Sequence, residues 1–435
     1  MLRSRASLAL MCAALFVYGA SYADSAAAST DAVVPWNQTL LKIVRTAGAQ
    51  PATVHPTRSF AIMHAAVYDA VNAIDATHKP YLVHIEHVSP HASQDAAAAS
   101  AAHDTLLALY PAFQATLDAQ LEQSLAVIPD GVDKTTGVDV GKAVAQAILA
   151  LRNDDGSAAM LIAFVPGNAP GDYQLTPPNF PTPAFTHWSK VTPFVLERAN
   201  QFRLGPPPAL ASAQYTAAFN EVKSLGMLGS MTATADQKLI GQFWGGAIQN
   251  YWNEIAQTAV QAHHLATAQS ARVFALLNIT LADEVIAFYD TKYTYAFWRP
   301  VTAIRAADTD GNPDTLGDPN WLPQPTKTAA DPSYPGAHAT ISAGAEFVLN
   351  AVFGQKPFNL IVTSEVLPGT TRSFDSFAGA ENEASASRIF AGQHFRTDEN
   401  AGERLGRSVA DFVVDNFLTR VHDRDDRDHE GRDAD

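Results

Sequence analysis

The sequence predicts a mainly α protein built from two packed helical bundles, and three observations support this fold class. Apolar residues recur at three- and four-residue intervals through most of the chain, as in 59–75, which is typical of buried amphipathic helices. The alternation typical of strands is weak throughout, and no internal repeat is visible. A length of 435 residues allows a large core or two fused ones. Helical bundles are the simplest architecture that satisfies all three observations.

Residues 1–23 read as a secretory signal peptide. Arg3 and Arg5 precede an apolar run, and small residues ending at Ala23 offer a cleavage site. The run is short for a bilayer span, and an uncleaved anchor is the alternative. We therefore expect a periplasmic or secreted protein that makes no membrane contact after signal removal. The single cysteine, Cys12, lies inside this segment, which leaves the mature chain without a thiol for disulfides, zinc or nucleophilic catalysis.

Two helical regions and a tail make up the rest of the chain. The first region, 24–210, ends in a proline-rich connection that is too broken for regular structure. The second, 211–420, returns to helical periodicity, and 421–435 is a mixed-charge tail that we expect to be disordered. The predicted helices lie at about 59–75, 93–110, 112–127, 139–152, 211–225, 233–262, 266–297, 338–353, 380–391 and 398–418.

The formal net charge of −15 restricts the partners of the protein. An acidic surface of this kind repels nucleic acid and anionic membranes, so we expect neither as a partner. Any site for an anion must instead be built locally, from a few cations held against the general field of the molecule.

The stretch "KYTYAFWRP", 292–300, places two cations on an otherwise apolar and aromatic segment. Lys292 and Arg299 are seven residues apart, which puts both on nearly one face if the helix continues, and Pro300 ends or kinks that helix. Two cations on such a face favour a bound anion. The alternative is a pair of surface residues whose charged ends reach solvent.

The stretch "DPSYPGAHAT", 331–340, places His338 directly after a Pro-Gly-Ala turn and before an alanine-rich helix. The small residues Gly336 and Ala337 allow a ligand to approach the backbone closely, and a helix start directs free N–H groups into the same space. An anion site is one interpretation. A histidine that caps the helix or fills a gap is the other.

The stretch "SRIFAGQHFRTD", 387–398, carries a third set of polar residues. Arg388 lies near a helix end, Gly392 permits a turn, and His394 follows. Asp398 comes four residues after His394, so its carboxylate can orient the imidazole ring if a helix begins there.

Taken together, the three stretches resemble the signature of the vanadium-dependent haloperoxidase and type 2 phosphatidic acid phosphatase (PAP2) superfamily. That signature reads K-x6-R-P, then P-S-G-H, then S-R-x5-H-x3-D. The first and third parts match completely. In the middle part, Gly336 replaces the serine and Ala337 the glycine, so the hydroxyl that this serine gives the oxyanion is missing. Flanking segments such as "MHAAVYDAVNAI" are similar to secreted bacterial members of the haloperoxidase branch.

The resemblance implies a role for each motif residue. An oxyanion, vanadate or phosphate, would be bound by Lys292, Arg299, Arg388 and the backbone of Gly336 and Ala337. His394 would be the axial residue that anchors vanadium. Asp398 would hold the ring of His394, and His338 would be the acid–base group on the opposite side. Vanadate is therefore the expected cofactor, with none required for a phosphatase.

The function that the resemblance implies is oxidation of halide by hydrogen peroxide, with bromide ahead of chloride. Asp331 stands at a position where related chloroperoxidases carry an aromatic residue and bromoperoxidases a histidine, and a carboxylate there would repel halide. Two alternatives stay open: a secreted acid phosphatase that works through a phosphohistidine, acting on a phosphate ester, and an inactive helical module that only binds an oxyanion. A homodimer is a possible assembly.

Overall fold

The structure is a computed structural model that describes residues 31–355 and 357–421. The predicted signal peptide and the charged tail therefore lie outside the described residues, apart from the first residue of the tail. Within them are thirteen α-helices and one short antiparallel hairpin. The helices are α1 (Val33–Arg45), α2 (Thr57–Asp75), α3 (Gln94–Leu109), α4 (Gln114–Ala126), α5 (Val132–Arg152), α6 (Ala213–Leu225), α7 (Ala235–Phe243), α8 (Ile248–Ala262), α9 (Thr267–Tyr295), α10 (Pro300–Arg305), α11 (Ala337–Phe353), α12 (Phe377–Phe390) and α13 (Arg396–Asn416). The strands are β1 (Leu360–Thr363) and β2 (Thr371–Phe374).

The mainly α fold with packed bundles is confirmed. The long helix α9 is central: it packs against α2 on one side and against α11 and α13 on the other. Helices α3 and α5 complete the first layer around α2, and α12 packs on α11 in the second. Nearly every residue of α9 from Val273 to Tyr289 is buried, which explains why its apolar residues run on without a clear polar face. The predicted domain boundary near 210 stays a prediction.

Three local elements differ from the predicted helices. The pattern over 233–262 is divided into α7 and α8, because the chain bends at Gly245 and Gly246. Helix α1 was not predicted, since Pro35 interrupts its pattern, although proline is tolerated in a first turn. The paired strands β1 and β2 have four residues each, too short for an alternating pattern to stand out.

Helices α11 and α13 approach each other unusually closely, and this contact carries the site. A side chain at Gly402 of α13 would overlap the backbone carbonyl of Gly336, and one at Gly406 would overlap that of Thr340. Small residues on α13 thus bring the beginnings of the two helices side by side. No helix in the described part of the chain is long and apolar enough to cross a bilayer.

Candidate active site

Lys292 and Arg299 lie on either side of a helix end. Helix α9 stops at Tyr295, after which Ala296 takes up the left-handed conformation with φ 43°. Arg299 is the N-cap of α10, and Pro300 is the first residue of that helix. The prediction that the two cations share one helical face is therefore wrong. They come together because the chain turns back on itself after α9.

The loop before α11 binds both of these cations. Lys292 Nζ donates to the carbonyl oxygens of Pro332, at 2.5 Å, and Ser333, at 3.3 Å. Arg299 Nε donates to the carbonyl of Asp331 at 2.8 Å, and its Nη2 donates to the Asp331 carboxylate. The same carboxylate lies 3.8 Å from Lys292 Nζ. Burial lowers the pKa of Lys292 to about 8, although Asp331 opposes that shift.

His394 lies in the tight connection between the last two helices. Helix α12 ends at Phe390, Gly392 turns the chain with φ 70°, and α13 begins at Arg396. The His394 side chain is buried, and Arg299 Nη1 lies 2.9 Å from its Nε2. Since a guanidinium can only donate, Nε2 accepts and carries the lone pair, and the ring proton is assigned to Nδ1.

The carboxylate of Asp398 supports the other side of the His394 ring. Its Oδ2 lies 3.4 Å from His394 Nδ1 and accepts from the Phe395 N–H at 3.1 Å. The Ser333 hydroxyl donates to the same oxygen at 2.5 Å and lies 3.3 Å from His394 Nδ1. The structure thus brings Asp398 to His394 as the spacing predicted. Ser333 was missed, although it stands in the same conspicuous stretch as His338.

The charges around His394 keep its ring neutral. Burial lowers the pKa of His394 well below its usual value. Three neighbouring cations lower it further, namely Arg299, Lys292 and Arg388. Burial also raises the pKa of Asp398 to about 6, against the hydrogen bond from Ser333. The arrangement presents a neutral nitrogen lone pair among fixed positive charges.

Arg388 and His338 are only partly buried, unlike Lys292, Arg299 and His394. Arg388 is in the last turn of α12, and its Nε is buried without a hydrogen-bond partner among the described residues. Burial lowers its pKa to about 10, so the guanidinium stays charged at neutral pH. His338 Nε2 lies 3.0 Å from the carbonyl of Trp244, which assigns the ring proton to Nε2. Burial and the charge of Arg388 lower the pKa of His338 well below its usual value.

The altered middle motif lies at the N-terminus of α11, as the sequence predicts. Gly336 is the N-cap, and its N–H donates to the carbonyl of Asp398 at 2.9 Å. That N–H is therefore not free for an oxyanion, contrary to the prediction. Ala337 is the first residue of the helix, a position whose N–H has no partner within a helix. Of the two backbone donors predicted for the oxyanion, Ala337 is the one that remains.

The residues present fit a tetrahedral oxyanion such as vanadate. Three cations surround one neutral imidazole nitrogen, and the buried Nε of Arg388 lacks a partner in the described part of the chain. Fixed guanidinium forks suit the oxygens of such an anion, and a buried cation needs a counter-charge. Fold and site together are those of a helical-bundle protein in which a cation cluster beside a histidine can hold an oxyanion.

Comparison with known proteins agrees with that class. Residues 272–423 match a family described as the VCPO second helical-bundle domain. The vanadium chloroperoxidase of Curvularia inaequalis is 26% identical over 502 residues, covering 87% of this chain and 80% of that protein. The crystal structure of a bacterial vanadium-dependent iodoperoxidase superposes with a TM-score of 0.75 at 26% identity, covering 90% of this chain and 97% of that one. A holo-type bacterial vanadium-dependent chloroperoxidase shares the fold, with a TM-score of 0.66 at 14% identity over 89% of this chain and 98% of that one.

The chain is therefore similar to vanadium-dependent haloperoxidases over most of its length, and residues 272–423 match the second helical-bundle domain of that kind of protein. The relatives matched here are vanadium haloperoxidases.

Proposed function

We propose that the protein is a vanadate-dependent haloperoxidase that oxidises halide with hydrogen peroxide, with bromide preferred over chloride. The observation that carries this proposal is the neutral His394 ring, whose Nε2 accepts from Arg299 within a cluster of three cations. An oxyanion held here would be bound by the His394 nitrogen and by positive charge around its oxygens, and this cluster supplies both. The similarity to vanadium chloroperoxidase and iodoperoxidase supports the same class of reaction.

Each residue of the cluster has a distinct task in this proposal. Lys292, Arg299 and Arg388 would hold the oxygens of the anion, and His394 Nε2 would anchor it once the Arg299 Nη1–H that Nε2 accepts has turned to one of those oxygens. At the opposite edge of the ring, Asp398 Oδ2 accepts from the Ser333 hydroxyl and lies beside His394 Nδ1, so this carboxylate keeps the ring proton on Nδ1. Vanadate bound here would supply the Lewis acidity that activates hydrogen peroxide towards halide.

His338 is the proton acceptor in this proposal. Its Nε2–H donates to the Trp244 carbonyl, which leaves Nδ1 as the basic nitrogen. The strongly lowered pKa keeps the ring neutral at physiological pH. A neutral ring with one fixed tautomer can take a proton from hydrogen peroxide as it enters.

The position of Asp331 supports the preference for an easily oxidised halide. Its carboxylate accepts from Arg299 and lies near Lys292, so it offsets part of the positive charge that a halide and an oxyanion would share. Chloride is harder to oxidise than bromide or iodide and needs the most strongly activated site. We therefore expect bromide, and iodide with it, to be turned over ahead of chloride.

A phosphatase is the second candidate, and one observation favours it. A neutral His394 with its lone pair among cations is also a competent nucleophile towards a phosphate ester: a phosphohistidine would form as the P–O bond to the alcohol breaks and the alcohol leaves. The Asp331 carboxylate, which hinders halide, would not prevent this reaction. The third candidate, an inactive oxyanion-binding module, takes its support from the missing hydroxyl at Gly336.

The test measures both reactions on the purified protein. One sample is loaded with orthovanadate and given hydrogen peroxide with iodide, bromide or chloride, and halogenation of a phenol-type dye is followed. A second sample without vanadate receives an aryl phosphate. The proposal expects vanadate-dependent bromination that is lost in His394→Ala and retained in His84→Ala, which changes an exposed histidine instead.

Each of the other outcomes selects an alternative. Phosphate release without halogenation would assign the protein to the phosphatase branch. Oxyanion binding with neither reaction would identify the inactive module. The expected partners of an active enzyme are small molecules: peroxide, halide or phosphate ester.

We also propose a periplasmic or secreted location, which the basic and apolar start of the sequence supports. Fractionation of expressing cells would test it.

A further inference from the structure

Gly336 has no side chain, but the space beside it is filled. A Cβ built on Gly336 would overlap Oε1 of Glu399 and lie 2.7 Å from its Cδ. Glu399 is in the first turn of α13, directly after Asp398, whose carbonyl accepts from the Gly336 N–H at 2.9 Å. The carboxyl group of one helix therefore takes up the side-chain position of the other.

The Glu399 carboxyl is in an unusual environment. Its side chain is completely buried, and neither oxygen has a hydrogen-bond partner among the described residues. Oε1 lies 3.8 Å from His394 Nδ1, at the edge of the ring that Asp398 supports. No lysine or arginine nitrogen in the described part of the chain comes within 4.0 Å of it. Burying a polar group without a partner costs free energy, so the position of this carboxyl beside Gly336 needs an explanation.

The close packing of the two helices holds Gly336 beside the first turn of α13. Gly402 lies one turn further along α13, and its α-carbon faces the carbonyl of Gly336 with no room for a side chain between them. The two helices are therefore locked together at this point, and the N–H···O contact between Gly336 and Asp398 adds a second constraint.

We propose that Glu399 replaces the side chain that Gly336 lacks. The Glu399 carboxyl group forms the wall of the oxyanion pocket at residue 336, so residues 336 and 399 together determine which oxyanion is bound. The superfamily signature places a serine at residue 336, on α11. In this chain the polar group at that place comes from α13 instead. This inference rests on the proposed function, because it assumes that the cation cluster holds an oxyanion.

Four variants test the pair: Gly336→Ser, Glu399→Ala, the double variant and Glu399→Gln. The affinities for orthovanadate and for inorganic phosphate are measured by calorimetry, and thermal unfolding is recorded for each protein. We expect Gly336→Ser alone to weaken both affinities about tenfold or more, because the new side chain meets the carboxyl. Glu399→Ala alone should also weaken them about tenfold, because the wall is lost.

The double variant is decisive, because it moves the polar group back to α11. We expect the affinities of the double variant for both oxyanions to return to within about threefold of the original protein. Such a recovery would show that residues 336 and 399 are coupled, because independent effects would add. The Glu399→Gln variant, which keeps the shape and polarity of the side chain, should also stay within about threefold. Any of three results would overturn the proposal: a double variant whose loss of affinity is the product of the two single losses, an unchanged affinity in Glu399→Ala, or a large loss of affinity in Glu399→Gln.

A matched control is available elsewhere on α11. Glu284 of α9 is also completely buried, and it fills the side-chain space of Gly344. We expect Glu284→Gln to leave both oxyanion affinities within about twofold of the original, because no cation of the site approaches it. An equal effect from this control would reduce Glu399 to a packing residue and overturn the proposal.

The outcomes also separate this inference from the proposed function. Coupling without halide oxidation would support the pair and contradict the haloperoxidase. Oxyanion binding with independent losses would contradict the pair alone. No binding of either oxyanion by the original protein would overturn both.

Discussion

Two glycines of α11 each face a buried glutamate, but their surroundings differ. Gly336 at the start of the helix faces Glu399 of α13, and Gly344, about two turns later, faces Glu284 of α9. The packing is nearly the same: a Cβ would lie 2.7 Å from the Cδ of Glu399 and 2.6 Å from the Cδ of Glu284. None of the four carboxyl oxygens has a hydrogen-bond partner among the described residues.

The difference between the two pairs is electrostatic. Burial raises the pKa of both carboxyl groups well above the usual value. At Glu399 the positive charge of Arg388 opposes that shift, whereas at Glu284 the negative charge of Asp283 increases it. One packing arrangement thus has two consequences. Beside cations the buried carboxyl can belong to a ligand site, while in the core it is a cost to stability.

The largest effect on stability is expected when a side chain is added at Gly344, beside Glu284. Gly344→Ala places a methyl group into Glu284, which is held inside the bundle, so we expect a loss of about 3 kcal/mol of unfolding free energy. Oxyanion affinity of the folded protein should not change. Urea unfolding and phosphate calorimetry check the two halves of this prediction. A loss below about 0.5 kcal/mol would show that Glu284 has room to move, and the comparison with Glu399 would fail.

The pH dependence of stability should show the cost of Glu284. Because burial raises the pKa of Glu284 in the folded protein, the unfolded chain releases its proton first as pH rises above about 4.5. Stability is therefore lost with rising pH, by up to about 1.4 kcal/mol per pH unit from this group. Glu284→Gln removes this ionisable group, so the stability of the variant relative to the original protein should increase by about 2 kcal/mol between pH 4.5 and pH 6.

Urea unfolding of both proteins at pH 4.5, 5 and 6 measures this difference. A constant difference between Glu284→Gln and the original protein would mean that Glu284 is ionised in the folded state.

The motif residues were predictable from sequence because each motif is local. Arg388, His394 and Asp398 lie on one short connection between two helices, so their spacing largely determines their geometry. Lys292 and Arg299 were correctly grouped but for the wrong reason. Periodicity cannot show that α9 ends before Arg299, because a left-handed residue such as Ala296 leaves no clear sign in an otherwise helical pattern.

The residues that the sequence did not reveal depend on contacts between distant segments. Glu399 meets Gly336 only because α11 and α13 pack closely, and nothing in the local pattern of either helix indicates that contact. Ser333 reaches Asp398 across 65 residues of chain for the same reason. Asp331 was noted as a hindrance to halide, but its direct pairing with Arg299 appears only in the structure.

The site can also be weakened without touching either glutamate. Ser333→Ala removes the hydroxyl that donates to Asp398, so the His394 ring loses part of its support. We expect bromide oxidation to fall about tenfold in kcat, with stability changed by about 1 kcal/mol. Ser385→Ala is the control, because the Ser385 hydroxyl donates to the Glu403 carboxylate, at 2.8 Å, and neither residue belongs to the site. Equal rates for the two variants would show that Ser333 does not act through His394.

The smallest effect is expected at the acidic residue that the cations already contact. Asp331→Asn removes a negative charge beside Arg299 and Lys292, so their field is available to an oxyanion, and phosphate affinity should rise about fivefold. Chloride oxidation should gain relative to bromide for the same reason. Asp411→Asn, an exposed residue of α13, changes the net charge equally and should have no effect. Weaker phosphate binding in Asp331→Asn would show that this carboxylate chiefly positions Arg299. Asp331 would then differ from Glu284 because it holds a cation of the site in place.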